Sequence, residues 1–308
     1  MAILKITKPL YFAKKLDWTL IIASLLLCIL GLLIIYSLSQ GGLSLFFKKQ
    51  LFFIGLGFLL MLIFSFLDYR IFKVHSFLLI ALYVFSLLIL GVLLFFGRQI
   101  HGSISWFYFK GFGFEPVELA LLVVVLVLAK YFSLRHIEMY RVRHLIISFL
   151  YIFLPAALVL CQPDLGSALI FFAVWLGLVM ISGIKLRHLI VIILIGAVLS
   201  GVIWSVFLKE YQKQRIITFL NPQKDPQGYS YQIQQSMIAI GSGEIFGKGL
   251  KNGSQSQLKF LPERETDFIF AALAEELGLA GVFLIFVLWG IIMYRIFKIT
   301  ILADNNFS

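Results

Sequence analysis

The sequence predicts an all-α polytopic membrane protein with about eight transmembrane helices and one large extracytoplasmic loop between the seventh and the eighth. Three observations carry that prediction. First, hydrophobic residues fill 61% of the 308 positions and charged residues 13%, against about 45–50% and about 25% in soluble domains. With so few charges and a mean hydropathy of +1.00, no water-facing surface can be covered, which excludes a soluble globular enzyme. The same apolar content excludes a disordered chain. Second, the apolar residues gather in runs of roughly 20, the length of helix that crosses a hydrocarbon core of about 30 Å. Third, neither the alternation of a membrane β-barrel nor an internal repeat runs through them.

The first span is expected at Trp18–Tyr36, behind a basic tail with Lys5, Lys8, Lys14 and Lys15. It is too long for a removable signal peptide and lacks a small-residue cleavage site. The second and third are expected at Leu51–Leu67 and Val74–Phe96. The fourth runs from Pro116 to Phe132 and carries Glu118 near its start. Leu145–Cys161 and Leu165–Ser182 follow, joined by the tight turn Gln162-Pro163-Asp164, and Leu189–Leu208 is the seventh. A polar stretch spans 209–265, and the eighth span runs from near Asp267 to near Tyr294, before a short polar tail. The whole of 1–308 reads as a single integral membrane domain.

Eight spans put both termini on one side, and the Lys and Arg distribution decides which. Of 26 such residues, 14 fall on the N-terminal side and 12 on the other, even with all 8 of the long loop counted. The N-terminus is therefore expected in the cytoplasm and the 209–265 loop outside it. The net charge of +11 reflects this topology and contact with anionic headgroups, and not nucleic-acid binding. Cys28 and Cys161 lie in apolar runs and are expected as reduced core residues, with no zinc-type spacing.

Ionisable groups at membrane depth are costly and usually serve a purpose. Glu118 reads either as an acidic residue meeting the dipole of a helix N-terminus or as a carboxylate facing a polar cavity. Asp164 reads as a helix N-cap, a role compatible with lining a site. Thr266 or Asp267 would cap the eighth helix. Alternatively, Asp267, at a loop-to-membrane junction, would act as a general base on a substrate hydroxyl. Glu275 and Glu276 read as buried residues that pair and orient helices. Gly241-Ser-Gly-Glu-Ile-Phe-Gly-Lys-Gly249 does not fit a dinucleotide fingerprint and has no βαβ context. Its amides, with Lys248, Lys251 and Arg215, would either cradle a pyrophosphate or form a flexible basic loop over headgroups.

The chain resembles the SEDS family of bacterial cell-wall polymerases, which includes RodA, FtsW and SpoVE. The resemblance rests on Trp106 through Glu118, on Gln162-Pro-Asp-Leu-Gly166, and above all on Arg215 through Gly281. That last stretch holds Asn221-Pro222, Asp225-Pro226, Gln235-Ser236, Gly247-Lys248-Gly249, Leu261-Pro262-Glu263, Asp267-Phe-Ile-Phe270 and Glu275-Glu-Leu-Gly278. Asn252–Gln257 and Leu16-Asp17-Trp18 are more similar to the RodA branch. Two family patterns are altered. Pro-Ser-Glu-x-x-Lys reads Pro116-Val117-Glu118-Leu119-Ala120-Leu121, and Gly-Ala-x-Arg-Trp reads Gly102-Ser103-Ile104-Ser105-Trp106. Members usually have ten spans, so the last two are expected to be missing here.

The resemblance implies a peptidoglycan glycosyltransferase that polymerises lipid II during elongation, in the cytoplasmic membrane of a bacterium. It makes Asp267 the essential catalytic aspartate and sets Glu118 and Asp164 at the substrate. Lys248, Arg215 and Arg264 are the candidates for the departing pyrophosphate, and a divalent cation, Mg or Mn, is a candidate helper. The implied partners are a class B penicillin-binding protein, the elongation machinery and membrane lipids. A division-specific FtsW-type role, a flippase of lipid-linked precursors and a non-catalytic scaffold remain as alternatives.

Overall fold

The computed structural model describes residues 16–39, 43–68, 70–100, 103–109, 112–135, 142–208, 210–221 and 230–302. The basic tail with Lys5, Lys8, Lys14 and Lys15 lies outside them, as do Gly102, Pro222, Asp225, Pro226 and the tail beyond Leu302.

Each expected span is a helix. α1 is Trp18–Leu38 and α2 is Leu45–Phe66; a short α3 (Arg70–Val74) precedes α4 (Ser76–Phe96). α5 is Pro116–Arg135, α6 Val142–Cys161, α7 Leu165–Ile181 and α8 Leu186–Val202, which runs on into a π-helical turn at Ile203–Phe207. The polar stretch is not an open loop: it holds α9 (Glu210–Leu220), α10 (Tyr231–Ser242) and the single turn α11 (Ser254–Gln257). α12 is Ile269–Ile301. Among the described residues, 7 helices are long and apolar enough to cross a bilayer, and the apolar α7 is shorter, at 17 residues. α2 begins earlier than its hydropathy suggests because Ser44 caps it, accepting the Phe47 amide at 3.1 Å. Lys48 and Lys49 thus ride in its first turns, where long basic side chains reach toward headgroups.

A small antiparallel sheet, absent from the sequence expectation, follows α4. Strands β1 (Arg98–Ile100), β2 (Ser103–Phe109) and β3 (Phe112–Phe114) lie in that order. Phe107 pairs with Phe114, and Tyr108 with Gly113. The segment is rich in aromatic and β-branched residues that favour strands, but it is too short to show a barrel-like alternation.

The chain divides into two compact units, one drawn from Met1–Leu67 and Ile203–Leu302, the other from Asp68–Val202. In the second, α4 to α7 share a core. Val117, Ala120, Val124 and Leu128 of α5 face Ile152, Ala156 and Val159 of α6 and Ala168, Phe171, Trp175 and Val179 of α7. The spacing of three and four puts each set on one helix stripe. Small residues let the backbones approach, and polar side chains add hydrogen bonds, as expected for helices packing in lipid. Trp175 Nε1 donates to Ser148 Oγ at 3.1 Å, Tyr83 Oη to the Tyr151 carbonyl at 2.8 Å, and Gln162 Nε2 to the Leu90 carbonyl at 3.0 Å.

In the first unit, Ile34 and Leu38 of α1 pack on Ala272 and Leu273 of α12. The far ends of the same two helices are tied by Asp17, whose carboxylate accepts the Leu20 amide and pairs with Arg295 at 2.6 Å. α2 and α8 bury none of their residues within the chain. Neither cysteine is a core residue as expected: Cys28 is half-buried and Cys161 exposed. An apolar side chain facing lipid loses nothing, so an apolar run does not imply burial.

Candidate functional site

The turn before α12 carries the first set of candidate residues. Arg264 is buried and spends its guanidinium on the carbonyls of Ser256 and, at 3.3 Å, Leu38. Thr266 Oγ1 donates to Glu263 Oε2 at 3.1 Å. α12 starts after Phe268 with no side-chain cap, so neither Thr266 nor Asp267 serves as the cap. Asp267 is exposed, and among the described residues no hydrogen-bond or ion-pair partner engages its carboxylate.

Behind that turn, α12 is broken. Gly278 has φ 67 and ψ −165, which leaves amides and carbonyls on both sides without helical partners, a costly defect at membrane depth. The glycine-rich segment 243–249 lies across the break as a strap and satisfies it. Lys248 and Gly249 amides donate to the Glu275 and Glu276 carbonyls, both at 3.0 Å. The Leu279 and Ala280 amides donate to the Glu244 and Ile245 carbonyls at 2.9 and 3.0 Å. Gly247, at φ 76, lies so close to the Glu276 carbonyl that no side chain fits. The glycines are therefore a backbone template for α12, and not a flexible loop or a free amide cradle.

Glu275 and Glu276 bolt the first part of α12 to the segment before it, as the sequence suggests. Both are fully buried. Glu275 accepts the Gln255 and Ser256 amides at 2.8 and 2.9 Å and pairs with Lys248 Nζ at 2.9 Å. Glu276 accepts Gln257 Nε2 at 2.8 Å and the Lys251 amide at 3.2 Å. Lys248, expected at a pyrophosphate, is thus occupied by Glu275 and by Ser254 Oγ at 2.9 Å. Arg215 is exposed on α9.

The second unit holds the other two candidates. Glu118 is exposed in the first turn of α5 and lines an open cleft of about 410 Å³ with Trp106, Phe114, Glu115 and Leu119. Asp164 caps α7, accepting the Ser167 amide at 3.1 Å and Ser167 Oγ at 2.7 Å, and it also accepts Ser105 Oγ at 3.1 Å. Sequence reasoning passed over Glu115. Burial raises its pKa, and the nearby Glu118 and Asp164 carboxylates raise it further. Three carboxylates therefore share one neighbourhood.

Comparison with known proteins identifies the family. A family model described as "Cell cycle protein", covering FtsW, RodA and SpoVE, matches residues 17–308. The chain belongs to the FtsW/RodA/SpoVE family. Peptidoglycan glycosyltransferase MrdB of Escherichia coli K12 is 34% identical over 301 residues, covering 98% of this chain and 80% of the relative. Stage V sporulation protein E of Bacillus subtilis is 36% identical over 302 residues, covering 95% and 81%. Among solved structures, a peptidoglycan synthase complex described for its coordination of polymerisation and crosslinking matches with a TM-score of 0.77 and 31% identity, over 95% of this chain and 80% of the other. RodA of Thermus thermophilus matches with a TM-score of 0.66 and 28% identity, over 95% and 78%. Membership accounts for the largely helical, polytopic membrane architecture.

Among the described residues, no group of three or more His, Cys, Asp or Glu is arranged to hold a metal ion. No step proposed below passes through a divalent cation.

Proposed function

We propose that this chain is a peptidoglycan glycosyltransferase that polymerises lipid II in the cytoplasmic membrane, in the elongation branch of the family. The observation that carries the reading is the uncommitted carboxylate of Asp267. Arg264 and Thr266 beside it in the chain are engaged in hydrogen bonds, and Lys248 and Glu275 are engaged with each other. Asp267 sits exposed at the mouth of a rigidly tied helix.

In this mechanism Asp267 takes the proton from the 4-hydroxyl of the acceptor sugar as that oxygen attacks the anomeric carbon of the donor. The bond to the polyprenyl pyrophosphate breaks, the anomeric centre inverts, and the pyrophosphate leaves with the electron pair. General-base assistance of this kind contributes about 10²–10⁴-fold. Of the three cations considered for the leaving group, Arg264 is buried and Arg215 is exposed on α9, and we assign the pyrophosphate to Arg215 on its exposure. Glu118 lines a cleft that takes part in substrate binding, and Asp164 lies near its Glu115 wall. The RodA branch is favoured by the resemblance of Asn252–Gln257 and Leu16-Asp17-Trp18 to it. The partner is a class B penicillin-binding protein that crosslinks the strands made here.

Purified protein in detergent, given lipid II, tests the reading. Glycan strands resolved on a gel are expected from the wild type, and a drop of at least about 100-fold from Asp267→Asn. Polymer made without a sealed bilayer separates a transferase from a flippase. Normal polymerisation by Asp267→Asn would remove Asp267 from catalysis.

A further inference from the structure

Two tethers mark how the α1–α12 pair crosses the bilayer. At one end Asp17 meets Arg295 at 2.6 Å. At the other, the Lys251 amide donates to Ser37 Oγ of α1 at 2.8 Å and to Glu276 of α12 at 3.2 Å. At about 1.5 Å per residue, α1 covers about 30 Å between them, the thickness of a hydrocarbon core. Interfacial anchors gather at the second tether. Lys251 Nζ lies 4.9 Å from the centroid of the Tyr36 ring. Tyr36 stacks edge-on with Phe47 at 5.7 Å, and Lys48 and Lys49 follow Phe47 in the chain. Tyrosine and lysine at one level are the mark of a membrane–water boundary.

The tip of the strap lies on the hydrocarbon side of that boundary. Glu244 and Ile245 are bonded to Leu279 and Ala280, three and four positions past Glu276 along α12. Leu279 and Ala280 open the part of α12 beyond the Gly278 break, which runs on through the apolar span toward Arg295 and the first tether. The side chains there are bare. Ile245 is 60% exposed and Phe246 84%, beside an α12 face where Leu279 and Phe283 are 61% and 68% exposed. The backbone bonds to α12 prevent this segment from folding its apolar side chains inward. In water it would hold a large apolar surface open; in lipid the same surface costs nothing. The exposed Glu244 limits the depth, because its carboxylate must reach the headgroups.

We propose that Ile245 and Phe246 form a membrane-inserted wedge, seated among the acyl chains of the bulk bilayer just below the headgroups. Because the strap is bonded to residues 275–280, the wedge sets the depth of the first part of α12 and of the Asp267 turn. The proposal rests on the membrane architecture and stands apart from the assignment of a transferase.

Collisional spin labelling of the full chain in phosphatidylethanolamine–phosphatidylglycerol vesicles tests it. Cys28 and Cys161 are replaced by serine, and a nitroxide is placed at Phe246→Cys, at Ile245→Cys, or at Thr266→Cys as an exposed reference. Both wedge labels are expected to be relaxed several-fold more by oxygen than by a water-soluble nickel chelate, and the reference label the other way. If the chelate reaches both wedge positions as readily as Thr266, the wedge is in water and the proposal fails. Undecaprenyl pyrophosphate is then added. An unchanged oxygen preference supports bulk lipid as the occupant. A preference that appears only with the pyrophosphate present assigns the tip to a polyprenyl tail and overturns the bulk-lipid assignment.

Discussion

Lys248 and Glu275 show how strongly one pair can be tied to its surroundings. Glu275 is fully buried, and Lys248 is its only ion-pair partner among the described residues. Removing one member of such a pair strands a buried charge, which costs about 3–5 kcal/mol. Lys248→Met is therefore expected to lower the thermal unfolding midpoint in detergent. The Lys248→Met/Glu275→Gln double variant should recover part of the loss, because the stranded carboxylate is gone. Additive losses in that double-mutant cycle would show that the two residues act independently. Asp17 gives a second residue-scale test. The Arg295 guanidinium hydrogen-bonded to it holds its pKa below the usual aspartate value. A depressed carboxylate contributes stability that is complete above the ordinary aspartate range and is lost as pH falls through the depressed value. Asp17→Asn should lower stability at neutral pH and flatten the loss seen on acidification. An acid limb unchanged by that variant would mean the pair contributes little. The buried pairing of Glu275 and Glu276 was legible in sequence because carboxylates two turns into an apolar helix have few other fates. That Lys248 meets Glu275 was not legible, because a separation of 27 positions reveals nothing of the strap that joins them.

At the level of elements, the break at Gly278 and the strap across it form one device. Only glycine adopts φ 67 with ψ −165 without strain, and a Cβ there would collide with the Gly247 amide. Gly278→Ala is expected to cost more than about 3 kcal/mol or to prevent folding, read as loss of monodisperse protein after extraction. Sequence located the spans well, because about 20 apolar residues can do little in a bilayer except cross it. It could not locate the break, since a continuous apolar run hides a single non-helical residue, nor the core stripes, since lipid-facing positions are as apolar as buried ones. The start of α5 adds a different test. Glu115, crowded by burial, Glu118 and Asp164, has a raised pKa. Its ionised form therefore subtracts stability as pH rises through the ordinary glutamate range, and the cost is complete above the raised value. Glu115→Gln should raise the unfolding midpoint at neutral pH and give no gain in acid. A gain that persists in acid would assign the effect to packing.

For the whole molecule, the open question is which side each end faces, and basic residues offer the physical argument. Lys and Arg are held back on the cytoplasmic side during insertion, and 14 of the 26 lie on the N-terminal side of the eight-span arrangement. The margin is narrow because the 209–265 stretch brings 8 of its own. A loop of that length lies close to the limit of about 60 residues beyond which loops cross regardless of charge, so the short loops carry the bias toward an N-terminus in the cytoplasm. Lipid II polymerisation outside the cytoplasm then requires Asp267 on the far side. With Cys28 and Cys161 replaced by serine, a cysteine at Thr266 should react with a membrane-impermeant maleimide in intact cells, once any outer membrane is made permeable. A cysteine at Arg187, in the first turn of α8, should react only after the cytoplasmic membrane is opened. The reverse pattern would invert the topology and place the Asp267 carboxylate where no growing glycan strand can reach it.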